Sequence, residues 1–228
     1  MFVFVHIPKT AGTALGYGFD YSTNRRVFWD YSPNYEFPDK LQPEIRDHMD
    51  FISTYFKAIY GHFFVTKYME TLPDANYLTC IRQPVSRVVS QYFHAAHDGR
   101  SWQGKAIANG EMNAVEFARS EMIANAQYQH LKGKDLEDFG HIFITERLAP
   151  SVSLFSRKFD FKFQVGIPTL NTKENRDKSS SRSATHVNSK ILPVTERDRQ
   201  KIFQLCEMDN DIYRRAVNLH KAELKANA

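Results

Sequence analysis

The chain has 228 residues, 42% hydrophobic and 25% charged. That is the balance of an ordinary soluble globular domain, and it excludes a collagen-like, coiled-coil or largely disordered chain. A net charge of +4 is too mild to argue for nucleic acid as a partner. The charge is uneven, however. Residues 1–150 carry 15 Lys and Arg against 17 Asp and Glu, and residues 151–228 carry 15 against 9. The two cysteines, Cys80 and Cys206, are too far apart in the chain for a disulfide framework or a zinc spacing and read as reduced core thiols. No run of 18 apolar residues exists to form a transmembrane helix. Met1 directly precedes an apolar run too short for a signal peptide, so a soluble, cytoplasmic location is expected.

In chain order, Phe2 to Ile7 is β-branched and aromatic, stops at Pro8, and predicts a buried strand. A tight turn over Lys9 to Thr13 leads into a helix at Ala14 to Phe19. Residues 20–43, rich in Tyr, Asn, Pro and Asp, read as irregular. Glu44 to Phe56 has near-helical apolar spacing, Ala58 to Phe64 predicts a second strand, and Val65 to Leu72 a short helix. Asn76 to Arg82 predicts a third strand. Pro84 then sits where a first helical turn tolerates it, ahead of a helix over Val85 to His97.

Residues 98–112 read as a loop. Helices are expected at Ala114 to Glu121 and Ile123 to Leu131, a strand at His141 to Thr145, and a helix at Ala149 to Phe159. Residues 171–190 are polar and basic, a loop either mobile or ordered by a ligand. Thr195 with Asp198 three residues on marks a helix start, and a last helix runs from about Asn210 to Leu224. Strands alternating with helices predict a single α/β domain over residues 1–228, with a central, mainly parallel sheet flanked by helices. Ligands of such sheets sit at the C-terminal strand ends, after Ile7, Ile59 and Ile81.

Two motifs occupy those ends. His6-Ile-Pro-Lys-Thr-Ala-Gly-Thr13 lies at a strand-to-helix junction, where unpaired N–H groups and the helix dipole favour an anion. Lys9 adds a charge, Thr10 and Thr13 add hydroxyls, and Gly12 permits close approach of the backbone. It is not a Walker A loop, because Lys9 precedes the glycine. The second motif is Arg82-Gln-Pro-Val-Ser-Arg-Val-Val-Ser-Gln-Tyr92. It sets an arginine at a strand end and Ser90 two turns into the next helix, a compact phosphate site.

Together these motifs resemble the PAPS-dependent sulfotransferases, whose 5′-phosphosulfate loop and 3′-phosphate motif have this form. The likeness is greatest to the carbohydrate branch of heparan sulfate 2-O- and 6-O-sulfotransferases. Gln83 stands where that branch's Arg-Asp-Pro-x-x-Arg-x-x-Ser-x-Tyr has Asp. The resemblance implies a P-loop-like three-layer fold and in-line sulfuryl transfer from PAPS to a hydroxyl, releasing adenosine 3′,5′-bisphosphate (PAP). It implies that Lys9 is catalytic and binds the donor with the backbone N–H groups of Ala11, Gly12, Thr13 and Ala14, with Thr10 also among the cofactor ligands. Arg82 and Ser90 would hold the 3′-phosphate. His62, in a Gly-His pair after the second strand, would be the base, with His6, His94, His97 and Glu36 as other candidates. Asn125 and Gln127 match an Asn-x-Gln near the acceptor.

Lys173 and Arg182, with Arg176 and Lys178, are candidates to reach the cofactor from a lid, or else lie on a solvated loop. Glu146 reads as structural. No metal is required and no metal-ligand spacing occurs. The acceptor is expected to be a saccharide. Two other functions compete: a P-loop-type nucleotide kinase or binding module, and a non-catalytic binder of anionic polysaccharide.

Overall fold

The computed structural model describes residues 1–31, 39–163 and 190–226. Five short strands form one parallel sheet: β1 (Phe2–Val5), β2 (Val27–Asp30), β3 (Ala58–Gly61), β4 (Asn76–Ile81) and β5 (His141–Ile144). Their order is β2-β3-β1-β4-β5, and every pairing is parallel. The helices are α1 (Gly12–Ser22), α2 (Pro43–Asp47), α3 (Met49–Tyr55), α4 (Thr66–Met69), α5 (Pro84–Asp98) and α6 (Trp102–Asn109). They continue as α7 (Ala114–Ala118), α8 (Glu121–Ala124), α9 (Ala126–Leu131), α10 (Leu148–Lys158), α11 (Glu196–Leu205) and α12 (Glu207–Ala226).

The period-2 alternation of strand side chains divides the core into layers. Val3, Val5, Ile59, Tyr77, Ile81, Ile142 and Ile144 pack on one face with residues of α3, α9 and α12. Phe4, Tyr60, Leu78, Cys80 and Phe143 pack on the other with Leu15 and Phe19 of α1 and Phe155 of α10. A third cluster joins α5, α6, α7 and α11 beside the sheet. The expected three-layer α/β architecture is therefore present. Chain direction switches at β1, which has β3 on one side and β4 on the other. A crevice forms at such a switch point, and the two motifs follow β1 and β4.

Three local expectations fail for visible reasons. Val27–Asp30, read as irregular, is the edge strand β2, paired with β3 alone. It is only four residues long, with no alternation to signal it. The loop expected over 98–112 contains α6, begun by Ser101 Oγ accepting from Gly104 N (3.0 Å) and ended by Gly110 in the left-handed region. The single helix over Glu44 to Phe56 is two, broken at His48 (φ −106°, ψ 13°). The start at Thr195 is as expected: its hydroxyl accepts from Asp198 N (3.2 Å) while Asp198 Oδ2 accepts from Thr195 N (3.0 Å). Cys80 and Cys206 are buried free thiols, both pushed up to about 12 by burial. Among the described residues no helix is long and apolar enough to cross a membrane.

Candidate active site

The loop between β1 and α1 is held open from beneath. Lys9 (φ 69°) and Ala11 (φ 63°) both adopt the left-handed region, which costs a residue with a Cβ about 1–2 kcal/mol. The surroundings fix this shape. Thr10 is fully buried and its Oγ1 donates to Ile7 O at 2.8 Å. Tyr60 Oη donates to Gly12 O at 2.6 Å. Arg82 Nη1 donates to Lys9 O at 3.1 Å, so the two motifs are joined by a hydrogen bond.

The start of α1 has no side-chain cap, unlike α5, α6, α7 and α11, which are capped by Gln83, Ser101, Asn113 and Thr195. Among the described residues the N–H groups of Thr10, Ala11, Gly12 and Thr13 meet no acceptor, whereas that of Ala14 donates to Ala11 O at 3.1 Å. Successive unsatisfied N–H groups at a helix start, beside a lysine, form a concave anion site. Two expectations change here. Ala14 has its N–H already engaged and drops out of the set of phosphate donors. Thr10 can offer only its backbone, because its hydroxyl is turned inward.

His6 lies under the loop. An added Cβ on Gly12 would stand 1.8 Å from His6 Nε2. His6 Nδ1 and Tyr31 Oη are 2.7 Å apart, and the His6 ring stacks on His62 at 4.2 Å and 27°. His62 follows β3, and its Nδ1 donates to His6 O at 2.6 Å. A carbonyl can only accept, so the neutral His62 ring carries its lone pair on Nε2. Burial holds His62 below the usual imidazole range, partly opposed by that hydrogen bond. His6 is lowered further, by burial first and then by His62, His130 and Lys9. Both rings are therefore neutral near pH 7.

Of the other base candidates, His97 is exposed with Nδ1 donating to Phe93 O at 2.5 Å. His94 is exposed on α5 one turn beyond Ser90, and is lowered by partial burial and by the charge of Lys9. Glu36, Lys173, Arg176, Lys178 and Arg182 lie outside the described residues.

The second motif is fixed from behind. Gln83 is the N-cap of α5, its Oε1 accepting from Ser86 N at 2.6 Å. This is work a shorter Asp also does, so the substitution preserves the turn. Glu146 accepts from Gln83 N (2.9 Å) and from Tyr213 Oη (3.2 Å), tying the end of β5 to the start of α5 rather than capping its own following helix. Ser90 is half-buried and, among the described residues, its hydroxyl has no hydrogen-bond partner.

Gln127 is fully buried; its Oε1 accepts the N–H of Arg82 at 2.7 Å and its Nε2 donates to Asp209 Oδ2 at 3.2 Å. Asn125 Oδ1 accepts from Asp209 N (3.2 Å) and its Nδ2 donates to Leu205 O (3.2 Å). Arg87, also fully buried, approaches Asp209 at 3.7 Å and donates to Gln91 and to Ile123 O. Asn125 and Gln127 were expected at the acceptor. Both amides are instead engaged in this buried network, which sets the backbone of Arg82. Asp209 and Arg87 were not foreseen, because Asp209 lies more than 80 residues from the pair it organises. Among the described residues no cluster of three His, Cys, Asp or Glu side chains is placed to hold a metal.

Residues 1–214 match the family model described as "Sulfotransferase family". The chain belongs to the sulfotransferase family. No curated protein matches it. A solved structure to which it is similar is the crystal structure of a sulfotransferase from Alicyclobacillus acidocaldarius, at 16% identity and a TM-score of 0.39, covering 93% of this chain and 98% of that one. Membership makes this sulfotransferase an enzyme of sulfuryl transfer to an acceptor hydroxyl, and the family match reaches through both loop motifs and into the first half of α12, ending at residue 214.

Proposed function

We propose that this sulfotransferase takes its sulfuryl group from PAPS and delivers it to a hydroxyl of a carbohydrate, releasing PAP. The observation that carries the reading is the uncapped start of α1. Among the described residues the four N–H groups of Thr10 to Thr13 meet no acceptor beside Lys9, and Arg82 is hydrogen-bonded to that same loop. A donor with a 5′-phosphosulfate and a 3′-phosphate fits this pair of cationic centres. A donor lacking the 3′-phosphate leaves Arg82 and Ser90 unused.

PAPS, when bound, supplies a sulfur centre whose bond to the phosphate oxygen breaks as the acceptor oxygen bonds to it. The chain's own groups do the rest. The N–H groups of Thr10 to Thr13 hold the 5′-phosphate, and Lys9 balances the charge left on it. Arg82, with its N–H held by Gln127, and Ser90 hold the 3′-phosphate. His62 accepts the acceptor's proton at Nε2, its ring oriented by the bond from Nδ1 to His6 O. A lowered pKa keeps that nitrogen unprotonated near neutrality. Catalysis then consists of positioning and charge stabilisation, as in phosphoryl transfer.

The test is transfer of label from [35S]PAPS to a saccharide panel. Lys9→Ala should lower kcat by about 10²–10³, and His62→Ala by about 10²–10⁴. Normal turnover of Lys9→Ala would refute the assignment of the donor site. A wild-type rate for His62→Ala at every pH would move the base elsewhere, with His94 the next candidate.

A further inference from the structure

Beside His62 the edge strand β2 and the residue that follows it present two large rings to solvent. Trp29 and Tyr31 are each 41% exposed. Single exposed aromatics are common and carry no message. These two are not single: they stack on one another at 6.0 Å and 23°. Neither is a loose surface side chain. Trp29 packs edge-on to the buried Tyr60 (5.3 Å, 61°) and rests on α1 at Gly16, where an added Cβ would stand 3.0 Å from the indole Cη2. Tyr31 is pinned by the 2.7 Å hydrogen bond to His6 and meets the His62 ring edge-on at 4.8 Å. The result is a rigid, continuous aromatic shelf that runs from the His62 ring outward along β2.

We propose that this Trp29–Tyr31 shelf is the acceptor subsite, and that its occupant is a saccharide laid with a C–H face against the rings. The inference rests on the reading of His62 as the base, and names which acceptor chemistry that base serves. Rigid Trp and Tyr offer wide contact area at little entropic cost. An amphipathic sugar ring can cover the aromatic faces while its hydroxyls stay wet or turn to His62. A small phenolic acceptor is better served by an enclosed apolar pocket that buries most of its surface. An open shelf on the edge strand gives it only one side, whereas an oligosaccharide can run across it.

The chain has two tryptophans, and Trp102 is 70% exposed on α6. Trp102→Phe therefore leaves Trp29 as a fluorescent reporter of its own subsite. Heparosan, hyaluronan and chitin hexasaccharides are titrated into this variant with and without PAP. Transfer from PAPS to the same sugars and to 4-nitrophenol is measured alongside, for wild type, Trp29→Phe and Trp29→Ala. A saturable change in Trp29 emission is expected with at least one hexasaccharide. The acceptor KM should rise about tenfold or more in Trp29→Ala, with kcat and PAP affinity little changed. Trp29→Phe should recover part of the loss and guards against a folding defect in the smaller variant. No emission change with any sugar, an unchanged KM in Trp29→Ala, or preference for 4-nitrophenol overturns the proposal. Absence of PAP binding in wild type would instead strike the donor reading, and the fluorescence titration without PAP separates the two failures.

Discussion

Gly12→Ala is a small change whose consequences can be followed atom by atom. The new Cβ would lie 1.8 Å from His6 Nε2 and 1.9 Å from Cδ2, where ordinary contact begins at 3.4 Å. The imidazole must retreat by about 1.6 Å, or the loop must lift by as much. Neither is easy. The His6 ring is stacked on His62, hydrogen-bonded to Tyr31, and buried, while Gly12 O is held by Tyr60. Overpacking of this kind costs about 1–3 kcal/mol, and loss of the His6–Tyr31 bond adds about 0.5–1.5 kcal/mol.

For a chain of this size, a loss of about 2–4 kcal/mol lowers Tm by about 5–15 °C. Function should fall further. The ring that moves is stacked on His62, and its own residue's backbone carbonyl orients His62; an error of about 1 Å in a reacting group can cost about 100-fold in rate. Thermal unfolding and labelled transfer read the two effects. Gly99→Ala is the control: it adds a Cβ at a left-handed glycine (φ 60°), which Gly12 is not, with nothing within 4 Å of the added atom, and should cost about 1 kcal/mol without loss of rate. His6→Ala combined with Gly12→Ala should be about as stable as His6→Ala alone, since the clash needs both groups. If Gly12→Ala is as stable and active as wild type, the packing of His6 beneath the loop does not govern the site.

Three further outcomes follow from the charges. Asp209→Ala leaves the Arg87 guanidinium buried without its carboxylate, and denaturant unfolding should show a loss of about 3–5 kcal/mol; an unchanged midpoint would contradict the network described for Arg82. In wild type, burial pushes His130 down to about 4 and His141 down to about 3. The unfolded chain therefore takes up protons first as pH falls below 6.5. Stability should be fully present above that pH and decline below it, by about 1.4 kcal/mol per pH unit for each histidine until the folded pKa is reached. Flat stability between pH 6.5 and 4.5 would refute the burial of these rings. The kcat/KM profile should likewise fall on the acid side of the ordinary histidine pKa, because burial lowers His62 and the base must be neutral to act; the limb should vanish in His62→Ala, and a limb that persists belongs to another group.

What the sequence made legible was local. The loop of Lys9 and the motif from Arg82 to Ser90 are each contiguous, and the strand and helix that flank each are signalled by neighbouring residues. The sheet's switch point at β1 and β4 then brings the motifs together. Contacts across the chain were not legible. Nothing near Asn125 or Gln127 announces Asp209, so two buried amides read as acceptor ligands. Gly12 reads as a place for ligand approach, whereas its missing Cβ is required first by the ring of His6. The strand β2 escaped notice because four residues between polar turns show no alternation, and with it the Trp29–Tyr31 shelf. Ala14 shows the same limit at atomic scale: only the bond to Ala11 O separates it from its neighbours as a phosphate donor.

The α1 start and Arg82 are proposed to form one site for a nucleotide phosphorylated at both the 5′ and 3′ positions. Isothermal titration with PAP, set against adenosine 5′-phosphate, tests it most directly. Binding of PAP should be saturable, binding of adenosine 5′-phosphate weaker by about tenfold or more, and the two ligands nearly equal in Arg82→Ala. Equal affinity for both nucleotides in wild type, or no binding of PAP, would contradict it.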